Sequence, residues 1–344
     1  MGASSFIYLF IYNRATMIVT RTPFRITLGG GGTDLPSYYE KYGGFIFSVG
    51  LDKYMYVSVN RPVIDDLIRL KYTKTEIVDS LNEIQHDIAR EALRMMGVEK
   101  GIEINSIADI SAGSGLGSSS CYAVGLLHAL HVMKRDYVSL RQLADEDFKL
   151  ENQILKRPIG QQDPYLAAFG GLTILDIEKD GKVKVRKAAV SEEAADELNR
   201  NMLVFFTGVT RSADTILSEQ QSSVKEEKKE VVDSMHFIKE LGYEILEAME
   251  DGNVDEVGVK FHAHWQHKKK ISTKMSNPEF DKIYDVAREN GALGGKISGA
   301  GGGGFFTFYV NKNHVGFRKI MRDLGLREMR YRFDFEGSKT LVDF

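Results

Sequence analysis

The sequence is poor in the features that tie a chain to an oxidising, membrane or nucleic-acid setting. Cys121 is its only cysteine, so no disulfide framework exists and a reducing, cytoplasmic location is expected. Long basic tracts are missing and the formal net charge is −3, which argues against nucleic acid as a partner. The apolar, aromatic stretch at residues 6–12 is far too short to span a bilayer. It also lacks a basic flank and a small-residue cleavage site, so no membrane partner is expected. Residues 1–16 are read as an N-terminal extension, with the fold beginning at Met17 and a weak export signal as the alternative. Internal repeats and low-complexity segments are absent. Metal-site spacing is scarce too. His262, His264 and His267 fall close together, but in a lysine-rich helical stretch beside Trp265, without cysteine or an HExxH arrangement, and are not read as ligands.

Two familiar nucleotide signatures are also missing. No GxxxxGK[ST] occurs, which excludes a P-loop NTPase. Gly299, Gly301 and Gly304 formally match GxGxxG, yet the order there is helix, glycines, strand. The dinucleotide fingerprint requires strand, glycines, helix, which counts against a nicotinamide-dependent oxidoreductase.

What is present is glycine in three clusters. The central one, Ala112-Gly113-Ser114-Gly115-Leu116-Gly117-Ser118-Ser119-Ser120, runs into an apolar stretch, 121–133, with helical spacing. A loop of glycines and serines ending at a helix N-terminus offers unpaired N–H groups and the positive end of the helix dipole, a cradle for phosphate. A plain glycine-rich loop with a serine N-cap fits the same pattern. The first cluster, residues 29–32, follows a strand at 17–27 and precedes Asp34 and Pro36. Asp34 is suited to accept hydrogen bonds from a polyol, or to cap the helix after it. The third cluster spans 294–304 and opens into a strand at 305–310.

Strands are further predicted at 45–60, 67–72, 102–107, 172–177, 182–190 and 202–206. Helices are predicted at 83–96, 139–155, 280–290 and, with a break at 251–253, over 213–272. The run 225–230 is read as a solvated helix face. Length and composition suggest two domains, and a compositional shift near Ser191 places them at 17–190 and 191–344. Three glycine clusters in one chain share a rationale if a nucleoside triphosphate meets a small polar acceptor. Phosphoryl transfer asks for positioning, charge neutralisation and somewhere for the acceptor proton to go. Glu151, near a helix end, and Asp163, in a loop, are a carboxylate pair for that purpose: one for Mg²⁺ with Ser118 or Ser119, the other for the proton. A surface helix residue and an N-cap before Pro164 are their ordinary alternatives.

With these residues on the page, the chain resembles the GHMP kinases. Residues 115–120 are similar to the family's central phosphate motif, 294–304 to its C-terminal glycine motif, and Thr22-Pro23-Phe24-Arg25 to its N-terminal motif. The segments 25–39, 161–165, 207–213 and 265–269 resemble the branch that phosphorylates a heptose 7-phosphate. Related sugar 1-kinases share several of them. Ser111 and Ser120 depart from the proline and alanine more usual in relatives.

The resemblance implies an α+β fold of two layers. Its N-terminal domain would be like ribosomal protein S5 domain 2 and its C-terminal domain ferredoxin-like, with ATP and substrate in the cleft between. It implies that Gly113, Ser114, Gly115, Leu116, Gly117, Ser118, Ser119 and Ser120 bind ATP phosphates, and that Ser119 and Glu151 hold Mg²⁺. Asp163 would be the catalytic aspartate with Arg25 beside it. Thr33 and Asp34 would hold sugar hydroxyls, Gly301 and Gly302 would approach the substrate, and Arg211 would be a substrate-side cation. The activity implied is ATP-dependent phosphorylation of a heptose 7-phosphate at its anomeric hydroxyl, for nucleotide-activated heptose and surface polysaccharide. A 1-kinase of an unphosphorylated fucose, galactose or uronic acid is the alternative, and a non-catalytic sugar sensor a further one. The expected partner is a small sugar or sugar phosphate, and a homodimer stays open.

Overall fold

The computed structural model describes residues 17–210 and 213–343. Its first half starts with β1 (Ile18–Gly29), α1 (Pro36–Tyr42) and the long β2 (Gly44–Asn60). The short strands β3 (Ile68–Lys71) and β4 (Thr75–Val78), helix α2 (Asp87–Met95) and β5 (Ile102–Ala108) come next. Then come α3 (Ser118–Met133), α4 (Leu140–Phe148) continued by a π-helical stretch (Lys149–Ile154), α5 (Gln162–Phe169), β6 (Leu172–Ile177) and β7 (Val183–Lys187). The second half opens with α6 (Glu192–Asn201), β8 (Met202–Phe206), α7 (Ala213–Lys225), α8 (Lys229–Glu250) and α9 (Val254–Ile271). It continues with α10 (Pro278–Glu289), β9 (Ala292–Ile297), β10 (Phe305–Val310), α11 (His314–Asp323), β11 (Arg327–Met329), β12 (Phe333–Asp334) and β13 (Lys339–Asp343).

β2 is the spine of the first sheet. It pairs antiparallel with β1 from Ile18↔Val59 to Gly29↔Phe47. It also pairs with β6 near its start, β12 in the middle and β5 near its end. Over this sheet lies α3, whose residues are apolar on nearly every face, as a helix buried on all sides must be. Thr20 Oγ1 donates to the Gly125 carbonyl at 2.8 Å, drawing α3 onto β1. The second sheet has the order β11-β8-β10-β9 and is antiparallel throughout. Every residue of β10 is buried. By strand alternation, Phe306, Phe308 and Val310 enter an aromatic core with Trp265 and Phe280, while Phe305 and Tyr309 join the core of the first sheet. One strand thus ties both halves together. The last strands, β12 and β13, leave the second half and hydrogen-bond to β2 and β1.

Several local expectations are revised. Residues 118–120 form the first turn of α3 rather than a loop. Asp163 lies in the first turn of α5, whose N-cap position is Gln161. The helix expected over 83–96 begins only at Asp87, with the His86 ring accepting from the Ala89 amide as its cap. The charged run 225–230 is exposed but not one helix face, because residues 226–228 form the break between α7 and α8. Gly294 and Gly295 belong to strand β9. A side chain at Gly294 would strike the Gly258 carbonyl oxygen, so α9 packs on β9 with backbone against backbone. Among the described residues, no helix is long and apolar enough to cross a membrane.

Candidate active site

The three glycine clusters converge on one cavity of about 350 Å³ between the two halves. Its walls include Gly31 and Gly32 from the first cluster, Gly113, Gly115, Gly117, Ser118 and Ser119 from the second, and Gly299, Ala300, Gly301 and Gly303 from the third. Gly113, Gly115 and Gly117 have φ of 76°, 79° and 85°, a left-handed backbone that L side chains rarely adopt. Successive turns of this kind, ending at the N-terminus of α3, present amides and the positive dipole end to one point, as an anion cradle requires. The third loop clamps the second. A Cβ on Gly115 would lie 2.8 Å from the Ser298 carbonyl oxygen, and one on Gly304 would overlap that of Ser114.

Across from the cradle stands Asp163. Its Oδ1 receives Arg25 Nε at 2.7 Å, the second Arg25 terminal nitrogen at 2.5 Å and Gln162 Nε2 at 3.0 Å. The other terminal nitrogen of Arg25 donates to the Gly115 carbonyl at 2.8 Å. One guanidinium, only 4 % exposed, therefore fixes the carboxylate relative to the phosphate loop, a fork geometry that lysine cannot copy. Oδ1 is saturated, which leaves Oδ2 to accept a hydrogen bond from an incoming hydroxyl.

Asp34 also lines the cavity and is buried. Its Oδ1 accepts from the Gly32 amide at 3.2 Å and its Oδ2 from the Gln162 amide at 3.0 Å. Burial, the largest cause, pushes its carboxyl up to about 6, and the Gln162 amide works against that. Any side chain at Gly160 would overlap the Asp34 carboxylate, so that glycine makes room for it.

Glu151 sits behind the cradle, fully buried. Ser120 Oγ donates to its Oε1 at 2.8 Å and Arg157 to its Oε2 at 2.9 Å, and Ser119 is a further hydrogen-bond partner. Burial raises its carboxyl, and those partners oppose the shift. The neighbouring Asp147 is raised further, first by burial and then by the Glu151 charge. A hard divalent cation prefers oxygen donors. The Ser119 hydroxyl on the cavity wall and the Glu151 carboxylate are donors of that type, but Glu151 does not line the cavity and has both oxygens engaged by Ser120 and Arg157, so it would hold Mg²⁺ only by giving up one of these bonds.

Not every residue singled out from the sequence reaches the cavity. Thr33 is fully buried, and its hydroxyl is used within the fold by the Gly30 and Phe45 carbonyls and the Phe45 amide. The side chains of Ser114 and Leu116 turn inward, so only their backbone could meet a phosphate. Ser120 serves Glu151 instead of the cradle. The Gly302 amide donates to the Met275 carbonyl at 3.0 Å. Arg211 lies outside the described residues. Conversely, Gln162, Arg157, Lys268, Lys296 and His264 line the cavity without having been picked out for it. The lysines of α9 were noted only as making that stretch lysine-rich, and the spacing of Phe261, His264, Lys268 and Ile271 on one helical face is the signal that places Lys268 inward.

Comparison with known proteins now bears on this geometry. Residues 67–171 match the GHMP kinases N terminal domain and residues 245–322 the GHMP kinases C terminal domain, together more than half of the chain and in the family's order. The chain belongs to the GHMP kinases. This kinase is 29% identical to the D-glycero-alpha-D-manno-heptose 7-phosphate kinase of Campylobacter jejuni, over 94% of this chain and 98% of that one. It is 24% identical to the galactokinase of Pyrococcus furiosus, over 94% and 97% of the two chains. In structure it is similar to a D-glycero-D-manno-heptose 1-phosphate kinase from Bacteroides thetaiotaomicron, with a TM-score of 0.78 and 24% identity over 95% of this chain and 99% of that one. Membership makes the protein an α+β phosphotransferase that takes its phosphoryl group from ATP.

Proposed function

We propose that this sugar kinase phosphorylates the anomeric hydroxyl of D-glycero-D-manno-heptose 7-phosphate, giving the 1,7-bisphosphate. The reading is carried by the placement of Asp34 and Asp163 on one cavity wall, bridged by Gln162, whose amide binds the first and whose side chain binds the second. Asp34 accepts from sugar hydroxyls and thereby sets the ring. Asp163 Oδ2 then accepts from the anomeric hydroxyl and orients its oxygen toward the terminal phosphorus of ATP held at 113–119. As the new P–O bond forms and the bond to ADP breaks, the hydroxyl proton passes to the Asp163 side. Arg25 steadies the charge that develops between that carboxylate and the phosphate loop. Ser119 and Glu151 would hold Mg²⁺, which supplies neutralisation of phosphate charge when bound. The likeness to the C. jejuni heptose 7-phosphate kinase supports the acceptor, and the likeness to galactokinase supports the second reading, an unphosphorylated sugar.

The test is an ATP-consumption screen over heptose 7-phosphate, other sugar phosphates and free sugars. Turnover confined to free sugars would replace the first reading with the second. Asp163→Asn is expected to lose turnover by about 10²- to 10⁴-fold while retaining nucleotide affinity. A near wild-type rate would remove Asp163 from the chemistry.

A further inference from the structure

The cavity holds a group of basic side chains that form no ion pair among the described residues. His264 and Lys268 lie one turn apart on α9, and Lys296 stands near the end of β9. The three are 2 %, 9 % and 3 % exposed, respectively, and all line the cavity. Lys268 Nζ donates to the Ile297 carbonyl at 2.9 Å and the Gly299 carbonyl at 2.5 Å. Lys296 Nζ donates to the Leu28 carbonyl at 2.7 Å and lies 4.6 Å from the centre of the Phe261 ring. Both ring nitrogens of His264 are buried without a hydrogen-bond partner. Neither lysine forms an ion pair among the described residues.

An ammonium carries three N–H donors. Lys268 therefore keeps one in reserve, Lys296 keeps two, and His264 offers one or two more. Burying like charges together is costly unless an opposite charge joins them. The strain shows in their protonation. Burial, then the Arg25 charge, brings Lys268 down to about 7. Burial, then Lys268, pulls Lys296 well below the usual lysine range, and His264 is lowered in the same way by burial and both lysines. What these donors lack is a compact anion with several acceptor oxygens.

We propose that Lys268, Lys296 and His264 form the subsite for the phosphomonoester that the sugar substrate carries at the end remote from the transferred group. The assignment rests on the reading of the chain as a sugar-phosphate kinase. Lys296 anchors on Leu28, the residue just before the glycines that lead to Asp34, which puts the group on the sugar side of the cavity. The nucleotide phosphates have their own cradle at 113–119. The phosphate already on the acceptor thus ties the second half of the protein, through α9 and β9, to a ring held by Asp34 in the first half.

Equilibrium binding separates the two sources of phosphate. Heptose 7-phosphate, free heptose and a nonhydrolysable ATP analogue are titrated into the full chain, its Lys296→Met variant and its His264→Leu variant. His264→Leu removes the donor without breaking a hydrogen bond among the described residues and serves where Lys296→Met does not fold. Wild type is expected to prefer the phosphorylated sugar. In either variant the ratio of affinities for heptose 7-phosphate and heptose should fall about tenfold or more, the scale of a lost charge-assisted hydrogen bond. Equal losses for both sugars would reduce the group to a structural role and overturn the subsite. Loss of nucleotide affinity with the sugar ratio preserved would assign the group to ATP and overturn it as well. If wild type binds only free sugars, the proposed function itself falls. If wild type prefers the phosphorylated sugar but the variants keep that ratio, the subsite alone falls.

Discussion

Asp34 shows how far a single residue could be read. Its place after four glycines and before Pro36 suggested either a polyol acceptor or a cap. The fold gives it no capping role for α1, since Leu35 occupies the N-cap position without a side-chain hydrogen bond. Thr33, its neighbour, looked equally available from sequence, yet its hydroxyl is spent on Phe45, a strand partner invisible to local pattern. Burial lifts Asp34 from 3.8 to about 6, and the sign of the consequence follows. Below that value the carboxyl holds a proton and loses acceptor capacity, so kcat/KM for the sugar should decline as pH falls through about 6. Asp34→Asn should lack this acid limb and show a raised sugar KM at all pH values. Stability runs the other way. The folded state holds the proton more tightly than the unfolded chain, so through this group acidification from about 6 toward 3.8 stabilises the protein. Gly160 makes a companion case. Gly160→Ala should displace the carboxylate, raise the sugar KM more than the ATP KM, and lower stability by about 1–3 kcal/mol in thermal melts, the usual scale for overpacking.

Among the elements, those with a strong period were legible. The expected strands 172–177, 202–206 and 305–310 coincide with β6, β8 and β10, because each is a largely apolar, β-favouring run. The glycine stretch at 294–304 was not legible as a strand, since Gly294 and Gly295 signal a loop unless the packing of α9 against them is known. The serines 118–120 were assigned to the loop for a related reason: their helical character comes from the backbone that α3 propagates backward, not from apolar spacing.

Asp147 and Glu151 stand four residues apart, the spacing of helical neighbours, and α4 with the π-helical stretch after it buries both. Asp147 is fully buried and raised well above the usual carboxylate range by burial and Glu151. The wild type should therefore lose stability through Asp147 as pH rises above that range. The near-isosteric Asp147→Asn should lack this slope and melt no lower than wild type at pH 7. Glu151→Gln should melt lower, because it weakens a buried partner of Arg157. Melting curves across pH for both variants check this. A large destabilisation by Asp147→Asn would mean that the carboxylate is ionised and paired.

At the scale of the whole molecule, the three glycine clusters lie far apart in sequence and meet at one cavity. Their order in the chain carried the family resemblance, and their meeting place was implied by nothing local. The halves are not sequential blocks at the C-terminal end. β13 pairs with β1 from Ile18↔Asp343 to Arg21↔Lys339, and β12 pairs with β2. Nothing in the local pattern pointed to this, because short strands carry no address for their partners. Ending the chain after Arg332 should therefore unsettle the first sheet more than the second. Hydrogen exchange should show faster amide exchange in β1 and β2 than in β8 and β10, and nucleotide affinity should drop with it. Slower or equal exchange in β1 would contradict the role given to these strands.

The same closure has a bearing on biosynthesis. The edge of β1 waits for residues 339–343, so a ribosome that has translated the whole central glycine cluster still holds an incomplete first sheet. That sheet closes only once β13 has been made, and a chain released before then presents the edge of β1 as an unpaired strand.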